Sequence, residues 1–282
     1  MAHIHPTAIV DPKAELFGDV TIGAYSIIKG AVRIGPGTVV HEHTHIHGRT
    51  VIGCNCRIGP GAFVGLNPQH LKYSGEETWL IIGDDVIIRE TATVHRSMSG
   101  EESHATRIGD RCFIMAAAHV AHDCVLGNDT VMANAALLGG HVVVGDRVFL
   151  GGGSGLHQFC RVGRLAVVAG NEALSQDVPP FAAVRDRSLK GYNAVGCRRA
   201  GLSRQSIMAI RGVYHRFRMH RMVSTIVESV RNEVPMVPEV HEILDFIAAS
   251  KRGILPWMVP ARLRPGGVVD VAVEPPDPDD EL

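Results

Sequence analysis

The sequence predicts a mainly β protein. A parallel β-helix of hexapeptide repeats is expected over residues 1–185, a small α-helical domain over 186–255, and a tail over 256–282. Three observations carry this. The chain holds 34 valines and 21 isoleucines against 17 leucines, an excess of β-branched side chains that favours strands over a helical bundle. Aliphatic residues recur at every sixth position. After Asp177-Val178-Pro179-Pro180 that pattern gives way to helical spacing.

The hexads open at Ile4, Val10, Leu16 and Ile22 and run in phase to Val64; they resume over Ile82, Ile88 and Val94, and again from Ile108 to Leu174. A period of six fits neither a helix nor a hairpin. It fits short strands joined by corners, three to a coil of 18 residues. The 26 openers make nearly nine coils, a prism roughly 40 Å long at the spacing of stacked strands. The fifth residue of a hexad is nearly always small, as in Ala8, Ser26, Thr38, Ala62, Ala118 and Ala136, and points inward with the opener. Cys56, Cys112, Cys124 and Cys160 occupy that same position and read as packed thiols. Many openers precede a glycine (Gly23, Gly35, Gly53, Gly59, Gly109), which is expected to ease the corner by adopting a positive φ.

Two polar, turn-rich stretches, about 65–81 and 96–107, interrupt the hexads and read as loops leaving the solenoid. Beyond the solenoid, Ser203 is placed to cap a helix whose stripe is Ile207, Ile210, Tyr214 and Phe217. A second helix carries Ile226, Val227 and Val230. A third starts near Pro238, carries Val240, Ile243, Leu244 and Ile247, and stops at Gly253. The acidic, proline-rich end, Glu274 to Glu281, reads as disordered.

Composition excludes several classes. No apolar run approaches the ~20 residues of a membrane span, and the N-terminus lacks the basic flank and apolar stretch of a secretory signal. Six cysteines without a C-x-x-C pair are not a disulfide scaffold, so a reducing cytoplasm is the expected setting. The formal net charge is −1, yet residues 185–221 hold ten Lys/Arg against one acid. That segment suits an anionic partner; without interleaved aromatics it does not read as a nucleic-acid surface.

Sixteen histidines form two clusters. His41, His43, His45 and His47 alternate around one coil and read as exposed rungs, with an interface role or metal ligation left open. The second comprises His119, His122, Asp123, His141 and His157. A step of 18 stacks His122 on Gly140 and Gly140 on Gln158, with His141 and His157 beside the column. A histidine, a glycine amide and further polar groups on one corner suit general-base chemistry with an oxyanion donor.

The block Ala118-His119-Val120-Ala121-His122-Asp123-Cys124, with Gly139-Gly140-His141, His157-Gln158-Phe159, Gln176-Asp177-Val178-Pro179-Pro180, Leu71-Lys72-Tyr73-Ser74-Gly75 and Val94-His95-Arg96, resembles the acyl-ACP–UDP-N-acetylglucosamine O-acyltransferases of lipid A biosynthesis, in order from about residue 4 to 252. The resemblance implies a left-handed β-helix, a homotrimer, and direct transfer of a 3-hydroxyacyl chain from acyl carrier protein. The phosphopantetheine arm of that protein arrives as co-substrate, with no resident cofactor or metal. It implies His122 as general base, Asp123 as its orienting acid and Gly140 as oxyanion donor. Gln69, His70, Lys72, His95, His119, His141, His157 and Gln158 fall at substrate-contacting positions. Gly170 matches the acyl-length ruler, and Asn193 and Arg199 match nucleotide or partner contacts. Three positions depart from the family pattern: His70 stands for an Asp, Val195 for a Glu, and Ala200 for an arginine. These leave open a 3-amino acceptor sugar. A coenzyme A donor, a metal-dependent hydratase of the γ-carbonic-anhydrase type and a non-catalytic sugar-nucleotide binder are the competing readings.

Overall fold

A computed structural model describes residues 1–257; the acidic end of the tail lies outside them. Twenty-six short strands of the described residues wind into three parallel sheets, each pairing with the third strand before and after it. Along most of the rod the register step is 18, as in Ile4 to Ile22 and Val120 to Leu138. Across the first loop it is 30, Ile58 on Ile88, and across the second 26, Ile88 on Ile114. The loops thus extrude 12 and 8 residues and return the chain in phase. Every opener from Ile22 to Leu174 is buried, and the four inward cysteines are buried among them. Each such aliphatic side chain contributes about 1.5–3 kcal/mol. Burial also pushes the thiols up, to about 11 for Cys56, Cys112 and Cys160 and about 12 for Cys124, so they stay protonated packing groups.

The corners differ from the sequence expectation. Positive φ falls on the third residue after the opener, and mostly on ordinary side chains: Tyr25, His43, Asp123, His141 and Phe159 all lie between 57° and 64°. Such a conformation costs about 1–2 kcal/mol per residue. Coil-to-coil bonds offset it, among them the His141 N–H to the His122 carbonyl and the Phe159 N–H to the Gly140 carbonyl, both 3.0 Å. The glycines directly after the openers are needed for close approach instead. A Cβ on Gly23 would stand 2.7 Å from the Glu42 nitrogen, and one on Gly35 2.7 Å from the Gly53 carbonyl carbon.

The rod ends in a hairpin that the periodicity did not announce. Ala182–Arg185 extends one sheet in parallel, and Ser188–Tyr192 returns antiparallel. The boundary drawn at 185/186 therefore cuts the turn of this hairpin. Asp186 and Arg187 both take positive φ there, as a two-residue turn requires. The buried Glu172 carboxylate accepts their N–H groups at 2.7 and 2.6 Å.

Four helices follow: α1 (Ala194–Arg199), α2 (Arg204–Met219), α3 (Val223–Glu233) and α4 (Pro238–Ala248). The first was not foreseen. Ser203 caps α2 by accepting the Ser206 N–H at 3.0 Å, and Ile210, Tyr214 and Phe217 are buried as the stripe requires. α4 ends at Ala248, five residues before Gly253, the glycine expected to stop it. The Asp177-Val178-Pro179-Pro180 motif docks this domain on the rod. Tyr214 Oη donates to the Pro180 carbonyl (2.6 Å), Ser250 Oγ to Asp177 Oδ2 (2.7 Å), and Arg164 pairs with Glu242 (2.7 Å). No helix of the described residues is long and apolar enough to cross a membrane.

Candidate active site

Three successive coils build the site at one corner. His122 follows the strand His119–Val120 and is buried. Its Nδ1 lies 2.7 Å from Asp123 Oδ2. Asp123 is itself fixed: its other oxygen accepts the Met98 N–H at 3.0 Å, and its own N–H donates to Thr106 Oγ1 at 2.8 Å. The carboxylate therefore orients the imidazole and holds the Nδ1 proton. That leaves Nε2 as the basic nitrogen for a reacting group.

One coil on, Gly140 packs directly against that ring. A Cβ there would lie 2.6 Å from His122 Cε1 and 2.8 Å from Nε2, so only glycine fits. His141 stands perpendicular to His122 with ring centroids 5.2 Å apart, and its Nε2 is 3.6 Å from Asp123 Oδ2. It stacks flat on Phe159 at 4.6 Å. Burial, then the neighbouring His122 and His70, hold the His141 imidazole below its usual range, against the opposing pull of Asp123. His70, from the first loop, meets His122 edge-on at 5.4 Å, and its Nδ1 accepts the Lys72 N–H at 3.2 Å.

These residues line a cleft of ≈ 650 Å³ with Gln69, Lys72, His119, His157 and Gln158, and with apolar walls from Leu137, Leu138 and Phe159. His119 Nδ1 is 2.7 Å from Thr93 Oγ1; burial and then His122 depress its pKa. His157 Nδ1 is 3.1 Å from Arg252 Nη2. His95 does not reach the cleft. It is buried behind His119, ring centroids 5.1 Å apart, and burial lowers its pKa to about 4.

Gly170, Asn193 and Arg199 are not brought to this cleft either. Gly170 lies on a different corner of the prism, two residues past the opener Val168. Asn193 caps α1: Oδ1 accepts the Gly196 N–H and Nδ2 donates to the Leu165 carbonyl, both at 2.8 Å. Arg199 is exposed in the last turn of α1, beside Arg198. Sequence reasoning missed Thr93, Met98, Phe159 and Arg252. Of these, Phe159 carries a readable signal, since it stands 18 residues beyond His141.

Among the described residues the one grouping with metal-ligand proximity is His122, Asp123 and His141. The 2.7 Å contact between His122 Nδ1 and Asp123 Oδ2 has the length of a hydrogen bond. The first histidine cluster disperses: His41 and His43 are exposed, His43 stacks on Tyr25, and His45 stacks on His47.

The comparisons follow the same lines. A family model described as UDP N-acetylglucosamine O-acyltransferase, domain 2, matches residues 177–255, and one for bacterial transferase hexapeptide repeats matches 105–140. A relative from Thermodesulfovibrio yellowstonii, an acyl-[acyl-carrier-protein]–UDP-N-acetylglucosamine O-acyltransferase, is 44% identical over 90% of this chain and 99% of its own. One of the same name from Syntrophobacter fumaroxidans is 44% identical over 89% and 99%. The solved UDP-N-acetylglucosamine O-acyltransferase of Moraxella catarrhalis superposes with a TM-score of 0.83 at 38% identity, covering 89% of this chain and 99% of that one. The acyltransferase of Campylobacter jejuni gives 0.82 at 34%, covering 90% and 100%. The shared fold is the left-handed parallel β-helix.

Proposed function

The chain belongs to the acyl-[acyl-carrier-protein]–UDP-N-acetylglucosamine O-acyltransferase family, and we propose that His122 is the general base with which it moves a 3-hydroxyacyl chain from acyl carrier protein to the glucosamine 3-hydroxyl of UDP-N-acetylglucosamine, the first step of lipid A biosynthesis. One observation carries the assignment: the buried His122–Asp123 pair at 2.7 Å, with Gly140 against the imidazole and the cleft beyond it.

His122 Nε2 takes the proton of the 3-hydroxyl as its oxygen attacks the thioester carbonyl. The Gly140 amide holds the oxyanion, an interaction worth on the order of 3 kcal/mol of barrier. Collapse of the tetrahedral centre breaks the C–S bond, and the imidazolium returns its proton to the phosphopantetheine sulfur. The raised thiol pKa values of the buried cysteines support direct transfer without an acyl-enzyme. No resident cofactor is required. Lys72, Gln69, His70, His119, His141, His157 and Gln158 surround the sugar nucleotide.

The working assembly is a homotrimer in the cytoplasm. Its support is the outward apolar row along one sheet, Ile87, Phe113, Val131, Phe149 and Val167, in which Phe149 is 42% exposed. In that assembly Gly170, Asn193 and Arg199 complete the site from a neighbouring subunit, with Gly170 leaving room for a long acyl tail. The exposed basic residues of 185–221, among them Arg187, Arg204, Arg211 and Arg218, suit an acidic carrier protein.

The test is incubation with UDP-N-acetylglucosamine or its 3-amino analogue, and 3-hydroxyacyl carrier proteins or coenzyme A thioesters, read by mass spectrometry. The carrier-protein donor and the hydroxyl acceptor give product. His122→Ala lowers turnover by several orders of magnitude with the assembly intact; near-wild-type turnover would sink the assignment.

A further inference from the structure

The one buried arginine of the described residues has no part in the mechanism. Arg96 is 6% exposed and sits where the second loop leaves the rod. Its guanidinium binds neutral acceptors only. Nη1 donates to the Gly65 carbonyl (2.5 Å), Nη2 to Asn67 Oδ1 (2.6 Å) and Tyr73 Oη (3.2 Å), and Nε to Thr78 Oγ1 (3.4 Å). All four belong to the first loop or its feet, and Gln69, His70 and Lys72 lie between them in sequence.

The backbone repeats the grip. The Arg96 N–H donates to the Leu66 carbonyl, where the loop departs, and the Ser97 N–H to the Trp79 carbonyl, where it returns, both at 3.0 Å. Space has been cleared for the side chain, since a Cβ on Gly48 would run into the guanidinium. The neighbours of Arg96 reach the rest of the site. His95 packs on His119, and the Met98 N–H binds Asp123.

We propose that Arg96 is a positioning residue for acceptor binding: it holds the 65–78 loop closed so that Gln69, His70 and Lys72 face the sugar nucleotide. It touches no reacting atom, and its removal is expected to weaken capture of the acceptor while leaving proton transfer at His122 intact. A buried cation spread over neutral carbonyl, amide and hydroxyl acceptors suits this role. It ties separate stretches of one loop together, which no single short side chain does. The proposal rests on the acyltransferase reading above, so its test has one arm that does not depend on it.

The experiment uses the full chain with Arg96→Gln, Arg96→Lys and Tyr73→Phe. In steady-state assays Arg96→Gln is expected to raise KM for UDP-N-acetylglucosamine at least ten-fold, change kcat less than three-fold, and leave the pH profile of kcat in place. Arg96→Lys recovers part of the KM. Tyr73→Phe, which keeps the buried charge and removes one of its acceptors, shifts KM the same way by a smaller factor. The independent arm is limited trypsin digestion without substrate: cleavage after Lys72 accelerates in Arg96→Gln at temperatures where circular dichroism shows it folded. If Arg96→Gln does not fold, Tyr73→Phe carries both arms. A wild-type KM together with wild-type cleavage at Lys72 overturns the proposal. Wild-type protein that forms no product overturns the acyltransferase reading instead, and the digestion then judges the loop alone.

Discussion

Replacing Gly140 by alanine tests the site with a single methyl group. The added Cβ would stand 2.6 Å from His122 Cε1, whereas ordinary contact begins at 3.4 Å. The imidazole cannot retreat freely, because Nδ1 is bound to Asp123 and Asp123 is bound to Met98 and Thr106. Ring or coil must give by about 0.8 Å, and a misplacement of order 1 Å costs roughly 10²-fold in rate, or about 2.7 kcal/mol of barrier. The backbone itself tolerates the change, since Gly140 is not among the positive-φ glycines. Initial rates at saturating acceptor and donor, with a thermal melt alongside, make the measurement. The expected outcome is a folded protein with kcat down about 10²-fold. A folded Gly140→Ala protein within three-fold of wild-type kcat would refute the claim that this glycine sets the position of the base.

Asp123→Asn removes the carboxylate that fixes the imidazole proton, and kcat should fall about 10²–10⁴-fold with KM changed far less. Stability should depend on His95. Its folded pKa, about 4, lies below the ordinary 6.5, so the unfolded chain binds the extra proton and stability is lost as pH falls from 6.5 toward 4. Urea melts at pH 7 and pH 5 should differ by about 2 kcal/mol from this group, and His95→Leu should shrink the difference; an unchanged difference would discount the group. Alkylation in the folded state should label Cys54, the partly exposed thiol, and spare the five buried ones without loss of activity, all six reacting after unfolding. Mass spectrometry of the modified protein counts them.

The rod was legible because its rule is local and repeats. Inward openers, small fifth residues and the +18 step follow from sequence alone, and that step stacks His122 on Gly140. The corner conformation was not legible. Stacked bonds and ring contacts stabilise positive φ at Tyr25, Asp123 and His141, so no glycine marks the place. The hairpin of Ala182–Tyr192 escaped because the hexads lapse after Leu174, and its turn is made by Asp186 and Arg187 rather than by a glycine. The capping role of Asn193 left no mark in the spacing either: its polar atoms cap a short helix and tie it to Leu165. Arg96 left no trace in the spacing. Its acceptors lie in a loop outside the register, and nothing in an arginine's neighbours along the chain announces what it holds.

A solenoid in which each turn meets only the turn before and after it behaves as a linear stack with nearest-neighbour coupling. Its open end is the first turn, where Ile4, Ile9 and Phe17 remain exposed, while the hairpin and helices close the other. The strand bearing His119 is the sixth of nine in its sheet. Fraying from the open end must therefore melt several turns before it loosens the catalytic corner, and amide exchange should slow in steps from the N-terminus toward it. The same arithmetic makes one turn the unit of length. Removing 18 residues from the first half would shorten the molecule by one rung and leave the angle between His122 and Gly140 as it was.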